Sequence, residues 1–499
     1  MNLRDTGILP ALRVIVIGAG FGGLASALRL RALGHHVTLL ERHDWVGGKA
    51  RTVESVAGPV YAGPTVLTLR RVFDEVFRAT GAPLEDYATL IEEPILARHF
   101  WPDGSRLDLF SDRAASVEAV HQFAGSGAAR EFRTFAQQAE RLFDTFDAPM
   151  MQAASPSVVE LGRAAVGSPK SLAALSPLAT LAGSLAARFS DPRLRQLFGR
   201  YATYVGGSPY EAPALLTLIW RAEEAGVWRV GGGMHGLAEA MAARFAEMGG
   251  DVRFGAGVER ISVCEGRATG VILESGDTLE ADCVVFNGDP RALATGAMGL
   301  EIMSVGAVTR TAPRSLSASV WSFAAKHFGV DLAHHNVFFA DEARSEFDDL
   351  KAGRVPRNPS IYVCAEDRGD GLVPPDVERF EIIVNAPPLT RKRAGEGEEL
   401  ACRHAIFRTL ERFGLSFDPE PEEMATPETF ERLFPGSAGA LYGQSPHGVT
   451  AALKRPRART AVPGLYLAGG GAHPGAGVPM AALSGQHAAE AITQDLVLT

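Results

Sequence analysis

Cysteine is scarce in this sequence, and the four that are present lie far apart. They are Cys264, Cys283, Cys364 and Cys402. None belongs to a Cys-x-x-Cys pair or to a cluster with histidine, so the spacing argues against a disulfide framework and against a zinc site. We therefore expect no metal centre, and reduced thiols in a cytoplasmic protein.

Long apolar runs and an excess of positive charge are also missing. Residues 1–13 carry Arg4 and Asp5 without an apolar core, so they do not predict a signal peptide. No run is long enough to span a membrane without interruption. The net charge of −9 argues against nucleic acid as a partner. A chain of 499 residues is too long for one hydrophobic core, so we expect two domains.

Residues 13–50 have the pattern of a strand–helix–strand unit. The apolar, β-branched run Val14–Ile17 predicts a buried parallel strand. Leucines near helical spacing predict a helix over Phe21–Leu33, and a second strand is expected at Val37–Leu40. Such a unit is typical of the nucleotide-binding half of an α/β fold.

The turn of this unit has the spacing G-x-G-x-x-G. Gly18 allows the tight turn, Gly20 lets backbone N–H groups approach a diphosphate, and Gly23 lets the helix pack closely on the strand. The positive end of the helix dipole also suits a phosphate. The predicted cofactor-binding residues of this turn are Gly18, Ala19, Gly20, Phe21, Gly22 and Gly23.

The residues after the second strand distinguish between cofactors. Glu41 follows the turn at the distance expected for an acid that binds a ribose 2′-hydroxyl, and its charge argues against NADP. A second diglycine and a cation come next, which a nicotinamide dehydrogenase does not need. We therefore predict FAD, the alternative being a surface turn. The predicted site here comprises Glu41, Arg42, Gly47, Gly48 and Lys49.

This segment resembles the E-x(6)-G-G-[RK] sequence of the amine oxidase and phytoene desaturase superfamily of flavoproteins. Three further segments resemble the carotenoid enzymes of that superfamily, in the same order along the chain. They are YAGPTVLT at 61–68, V-x-x-I at 258–261 and HPGAGVP at 473–479. The resemblance adds to the FAD site Pro64, Thr65, Val66, Val258, Gly469, Gly470, Val478, Pro479 and Met480. Relatives have aspartate where this chain has Tyr61, so it must do without that carboxylate.

The resemblance also implies the architecture. We expect an α/β protein in which a Rossmann-like FAD-binding domain is interrupted by an inserted α+β substrate domain. The expected FAD-binding segments are 1–90, 226–300 and 456–499. The expected substrate-domain segments are 91–225 and 301–455.

The run VPMAALSGQHAAEAI that begins at Val478 is most similar to the 1-hydroxycarotenoid 3,4-desaturases. This resemblance implies an enzyme that introduces a C3=C4 double bond into an apolar carotenoid such as 1-hydroxyneurosporene. Oxygen or a quinone is the expected electron acceptor, and the cytoplasmic side of the inner membrane the expected location. A phytoene desaturase, a carotenoid isomerase, a flavin amine oxidase and a lipid-carrying escort protein remain as alternatives.

Three features were open to more than one interpretation. His473 is the candidate base, because histidine accepts protons near neutral pH; alternatively it fixes the turn before the last helix. The uncharged stretch Ser171–Ala187 predicts a core helix or a segment that dips into a bilayer, with a transmembrane helix as the third alternative. The basic run Lys454–Arg459 predicts a solvated loop or a contact with lipid headgroups.

Overall fold

The computed structural model describes residues 10–167, 179–389, 396–421, 423–448 and 450–498. The strands are β1 (Arg13–Ile17), β2 (His36–Leu40), β3 (Arg51–Val53), β4 (Val60–Ala62), β5 (Leu90–Glu92), β6 (Ile95–Phe100), β7 (Arg106–Phe110), β8 (Trp228–Val230), β9 (Asp251–Arg253), β10 (Val258–Cys264), β11 (Arg267–Leu273), β12 (Thr278–Glu280), β13 (Cys283–Phe286), β14 (Ser317–Gly329), β15 (His335–Phe338), β16 (Ile361–Ala365), β17 (Glu378–Ala386), β18 (Leu415–Asp418) and β19 (Leu465–Leu467). The helices are α1 (Phe21–Ala32), α2 (Arg71–Arg78), α3 (Arg113–Phe146), α4 (Val158–Gly167), α5 (Leu181–Ala186), α6 (Pro192–Gly199), α7 (Thr217–Glu224), α8 (Gly233–Glu247), α9 (Pro290–Ala294), α10 (Ala343–Lys351), α11 (Glu396–Arg412), α12 (Pro427–Leu433) and α13 (Val478–Leu498).

A five-stranded parallel sheet organises the nucleotide-binding part, in the order β19-β13-β1-β2-β9. Its central strand is buried on both faces, as the unbroken β-branched run predicts, and Val16 lies between Val285 and Leu39. The predicted strand–helix–strand unit is confirmed. Helix α1 ends one residue earlier than expected, because Leu33 caps it and Gly34 takes a φ of +92°.

A seven-stranded sheet forms the second layer, in the order β18-β14-β17-β16-β15-β6-β7. The antiparallel pair β6 and β7 forms a hairpin that turns around Asp103 and Gly104. Helices α3, α5, α6 and α7 pack around Phe132, Phe198 and Trp220 on one side of this sheet. Helix α11 covers a second core on the other side. The sheet is therefore enclosed, and its strands alternate apolar residues toward both cores.

Each sheet draws its strands from separate parts of the chain. The parallel sheet uses strands within 1–90, 226–300 and 456–499, and the seven-stranded sheet uses strands within 91–225 and 301–455. This distribution is compatible with the five predicted segments, whose boundaries stay a prediction. The short antiparallel pair β5 and β8 lies near residues 90 and 226, at two of the predicted segment boundaries.

The uncharged stretch Ser171–Ala187 is only partly within the described residues, since 168–178 lie outside them. Its last part forms α5, which Thr180 caps, and Leu181 and Leu185 are buried in the core. In the described ranges, we find no helix that combines the length and the apolar character needed to cross a membrane.

Candidate active site

One cavity of about 1070 Å³ runs between the parallel sheet and the seven-stranded sheet. All the predicted cofactor residues line it except Ala19 and Gly23, which lie directly behind its wall. Single small-molecule sites usually have volumes of roughly 300–1,000 Å³. The cavity therefore has the size for a cofactor together with part of a substrate.

The glycine turn between β1 and α1 leaves no room for side chains. A Cβ on Gly23 would lie 2.0 Å from the carbonyl oxygen of Gly18, and one on Gly22 would lie 2.5 Å from the backbone nitrogen of Gly469. Gly18 has a φ of +94°, which a larger residue rarely adopts. Backbone therefore packs against backbone here, and Gly18 and Gly20 line the cavity.

The N-terminus of α1 has the features of an anion site. Its N-cap is Gly20, and no side chain caps the helix. The first backbone N–H groups of a helix have no partner within the helix, so they remain available to a ligand. Phe21 and Gly22 line the cavity at this point. The arrangement fits a diphosphate, which the N-terminal dipole also favours.

Glu41 is buried at the end of β2 and holds the turn in place. One carboxylate oxygen accepts the N–H of Ala19 at 2.7 Å and the other accepts the N–H of His43 at 3.0 Å. A carboxylate has lone pairs beyond these two bonds, so it can still accept a ribose hydroxyl. The N–H of Gly47 donates to the carbonyl of Ala19, which brings the second diglycine against the first turn.

Lys49 is a partly buried cation of this region. Its ammonium donates to the carbonyl of Leu441 at 2.5 Å. Burial lowers the pKa of Lys49 to about 8, with the charge of Asp289 acting in the opposite direction. Arg42, by contrast, lies at the rim and forms an ion pair with Glu274 at 3.1 Å.

The C-terminal segment closes the same cavity. Gly469 donates its N–H to Ser484 of α13 at 2.6 Å, and Gly470 follows it along the wall. The first turn of α13, Val478 to Met480, lines the cavity, as does Val258 at the start of β10. The predicted segments from both ends and the middle of the chain therefore meet.

Arg455 corrects the expectation of a solvated loop at Lys454–Arg459. Its guanidinium is buried and donates to the carbonyls of Gly470, Tyr442 and Gln444 at 2.7 to 3.1 Å. Burial lowers its pKa to about 10. This arginine therefore holds the turn that precedes α13, a role that the local charge run did not indicate.

The geometry agrees with comparisons to known proteins. The sequence matches the family described as flavin containing amine oxidoreductase over residues 21–320 and 404–493. Hydroxyneurosporene desaturases from Cereibacter sphaeroides and Rhodobacter capsulatus are 55% and 50% identical to it, each covering 97% of this chain and 98% of the relative. A 4,4'-diapolycopene oxygenase from Methylomonas sp is 32% identical over the same shares, 97% and 98%.

The chain belongs to the flavin-containing amine oxidoreductases, in their carotenoid desaturase branch. Solved structures share the fold at lower identity. An oxidoreductase from Methanosarcina mazei superimposes with a TM-score of 0.58 at 17% identity, over 97% of this chain and 100% of that one. Putrescine oxidase bound to putrescine gives 0.61 at 17% identity, again over 97% and 100%. The family match therefore identifies a flavin as the cofactor of this protein.

Two buried carboxyl groups that the sequence did not single out lie beside Tyr61. Glu366 accepts the N–H of Tyr61 at 2.8 Å, and Glu381 accepts the N–H of Gly63 at 2.7 Å. Glu381 also lines the cavity, and its second oxygen has no hydrogen-bond partner. Burial raises the pKa of Glu381 well above its ordinary value. Tyr61 itself has no carboxyl group, but the protein has two of them beside this position.

Glu366 makes the stability of the protein depend on pH. Burial raises its pKa from 4.5 to about 7. The unfolded chain releases this proton at lower pH than the folded chain does, so stability is lost as pH rises from about 4.5 to about 7. In the unmodified protein this loss of unfolding free energy is on the order of 3 kcal/mol at pH 8, and we expect Glu366→Gln to abolish it. Urea unfolding of both proteins at pH 5 and pH 8 measures the difference.

The control for this experiment is Glu301→Gln, which replaces an exposed glutamate. Its unfolding free energy is expected to follow that of the unmodified protein at both values of pH. A Glu366→Gln protein that is less stable than the unmodified protein at pH 8 contradicts the prediction.

His473, the predicted candidate base, does not line the cavity. Its Nε2–H donates to the carbonyl of Ala153 at 2.8 Å, and its ring stacks on His487 with centroids 5.8 Å apart. The residue is buried, and this burial lowers its pKa to about 4. The geometry therefore favours the alternative interpretation, in which His473 fixes the turn before α13.

We expect His473→Gln to keep turnover within about twofold while lowering the free energy of unfolding by about 0.5–3 kcal/mol, because the buried imidazole that stacks on His487 is lost. Turnover and urea unfolding are measured on the same preparation. His404→Gln, at an exposed position of α11, is the control and should change neither. A stable His473→Gln protein with a hundredfold loss of turnover would restore the base.

Proposed function

We propose that this protein is an FAD-dependent carotenoid desaturase that introduces a C3=C4 double bond into a 1-hydroxycarotenoid such as 1-hydroxyneurosporene. The observation that carries the proposal is a single cavity with two parts. One part has an uncapped helix N-terminus and glycine backbone, and the other has apolar side chains. The names of the relatives that match nearly the whole chain support the same substrate class.

The residues present fit FAD in particular. The first turn of α1 offers backbone donors for a diphosphate, Glu41 offers an acceptor for a ribose hydroxyl, and Lys49 offers a partly buried cation. Gly470 and the first turn of α13 line the cavity as well, and the N-terminal dipole of this helix would supply positive charge to the flavin there. When bound, the flavin supplies the hydride acceptor for the desaturation.

The remainder of the cavity fits an apolar polyene. Its lining includes Phe143, Met150, Met151, Leu215, Leu218 and Ile219. These side chains exclude water, and burying a polyene against them is favourable by roughly 25 cal/mol per Å² of apolar surface. They orient the chain of the substrate toward the segment Gly63–Thr65. The neighbouring carboxyl of Glu381 can hold a proton there, since burial raises its pKa well above the ordinary value.

We also propose that the protein associates peripherally with the cytoplasmic side of the inner membrane, and that oxygen or a quinone reoxidises the flavin. Helix α4 supports the membrane contact. Its Val159 and Val166 are 61% and 73% exposed, whereas Leu161 packs with Leu215 and Leu218 of the cavity wall. An exposed apolar helix beside the apolar end of the cavity suits entry of substrate from a bilayer.

Product analysis with liposomes tests the function. The FAD-loaded protein is incubated with vesicles that contain phytoene, neurosporene or 1-hydroxyneurosporene, and products are analysed by chromatography and absorption spectra. A red-shifted product from 1-hydroxyneurosporene alone is the expected result. A product formed from phytoene points to a phytoene desaturase. A product with changed geometry and no new double bond points to an isomerase, and turnover of amines alone to an amine oxidase.

A further inference from the structure

A buried polar cluster interrupts the apolar part of the cavity. It consists of Arg200 and Tyr204, on the 3-10 turn Arg200–Val205, and Glu223 on α7. All three side chains line the cavity. The surroundings of the cluster are apolar. Leu218, Ile219 and Ala222 of the same helix line this part of the cavity too. Charged groups are costly in such a place unless they are paired or serve a ligand.

The internal bonds of this cluster leave two polar atoms unused. Arg200 donates from Nη2 to the hydroxyl of Tyr204 at 2.9 Å, and Tyr201 donates to one oxygen of Glu223 at 2.6 Å. The Nε–H of Arg200 and the second oxygen of Glu223 are buried without a partner. One is a donor and the other is the oxygen of a carboxyl group. A hydroxyl can accept one hydrogen bond and donate another, so it complements both.

Tyr362 connects the cluster to the segment Gly63–Thr65 of the cavity wall. Tyr362 donates to or accepts from Thr65 at 2.7 Å between hydroxyl oxygens. The charge of Arg200 interacts with Tyr362, and Tyr204 does so as well. In a 1-hydroxycarotenoid a single carbon separates the hydroxyl-bearing C1 from C3. A site for the hydroxyl must therefore lie close to the reacting carbons.

We propose that Arg200, Tyr204 and Glu223 form a subsite that binds the tertiary hydroxyl of the substrate and thereby selects hydroxylated over unmodified carotenoid ends. The inference rests on the proposed function and adds the residues that set its specificity. The free Glu223 oxygen and the Arg200 Nε–H hold the hydroxyl between them. An unmodified end leaves both buried groups unpaired, and this penalty discriminates against it.

The test compares kcat/KM for 1-hydroxyneurosporene and for neurosporene in liposomes, using FAD-loaded protein. Glu223→Gln is expected to lower the preference for the hydroxylated substrate by about 10- to 100-fold. The hydroxyl of Tyr201 donates to the one oxygen that glutamine keeps, so an NH2 group replaces the free acceptor. Tyr204→Phe, which removes only one hydroxyl, should lower it several-fold. Replacing both charges, Arg200→Met with Glu223→Met, makes the wall apolar and should shift preference toward neurosporene.

Glu224→Gln is the matched control. Glu224 is the next residue on the same helix and is also buried, but both of its oxygens bind Arg113, at 2.6 and 2.8 Å, and it does not line the cavity. The Glu224→Gln protein should prefer 1-hydroxyneurosporene over neurosporene to the same extent as the unmodified protein. Flavin content and thermal unfolding are recorded for every variant, so that a folding defect is separated from a change in selectivity.

The outcomes separate this inference from the function on which it rests. If the unmodified protein forms no new double bond in either carotenoid, the proposed function fails. If it desaturates the hydroxylated carotenoid preferentially, and Glu223→Gln and Tyr204→Phe retain that preference with full flavin loading, the function stands and the hydroxyl subsite is refuted. A loss of preference in these two variants but not in Glu224→Gln supports it.

Discussion

Gly23→Ala is expected to yield a protein that carries no flavin or does not accumulate in folded form. The added Cβ lies 2.0 Å from the Gly18 carbonyl oxygen, and this atom belongs to the backbone of the turn itself. Overpacking against movable side chains costs about 1–3 kcal/mol, and a backbone neighbour cannot rotate away. The turn must therefore open, which moves the N–H groups of the diphosphate site. The absorbance ratio of flavin to protein after purification measures this loss.

Gly34→Ala provides the matched control. Gly34 has a φ of +92°, so alanine there is strained, but an added Cβ has no atom within 4 Å. We expect a loss of roughly 1 kcal/mol in stability with full flavin content. If Gly23→Ala retains flavin as Gly34→Ala does, then close packing of α1 on the turn is not what the cofactor site requires.

The contrast between these glycines shows which features the sequence could predict. The turn after β1 is a local structure, in which strand, glycine spacing and helix follow one another within a few residues of the chain. Its backbone path is therefore dictated by the residues themselves. The position of Glu41 beside the turn was predictable for the same reason, because a short parallel strand fixes its distance from the turn, and its role at the cofactor stays a prediction.

The polar groups that come from elsewhere in the chain were missed. Glu381 lies in a strand of the seven-stranded sheet, 318 positions from the Gly63 N–H that it accepts. The residues next to Glu381 in the sequence do not indicate that Gly63 is its partner. A signal was present, since a charged residue in the apolar run FEIIV of β17 requires a buried partner or a role at a site. Glu223 and Arg200 escaped notice in the same way, because their neighbours indicate only amphipathic helices.

Arg455 was misinterpreted for a related reason. Four basic or proline residues in a row, Lys454 to Arg457, are typical of solvated loops, and the pattern holds no information about the carbonyls that the loop meets after folding. Only the return of the chain past β19 brings Gly470 within 2.7 Å of the guanidinium. Tertiary contacts of this kind decide whether a charge is exposed or buried.

Lys49→Met is expected to weaken FAD binding by about 10- to 100-fold at pH 7. The ammonium lies in the cavity beside the glycine turns, where it supplies positive charge to a cofactor that carries a diphosphate. Its neighbours Asp289 and Arg314 form an ion pair with each other, so they do not replace it. The release of flavin fluorescence on dilution of the loaded protein gives the dissociation constant.

The pKa of Lys49 also predicts the direction in which FAD affinity changes with pH, and this can be tested with the unmodified protein. Because burial lowers this pKa to about 8, the cavity without cofactor holds a charged lysine at pH 7 and a largely neutral one at pH 9. An anionic cofactor favours the charged form, so binding at pH 9 must first add a proton to Lys49, and affinity falls by about tenfold between the two values. Lys49→Arg stays charged throughout this range and should show no such fall. Equal pH dependence in Lys49→Arg and in the unmodified protein would assign the effect to another group.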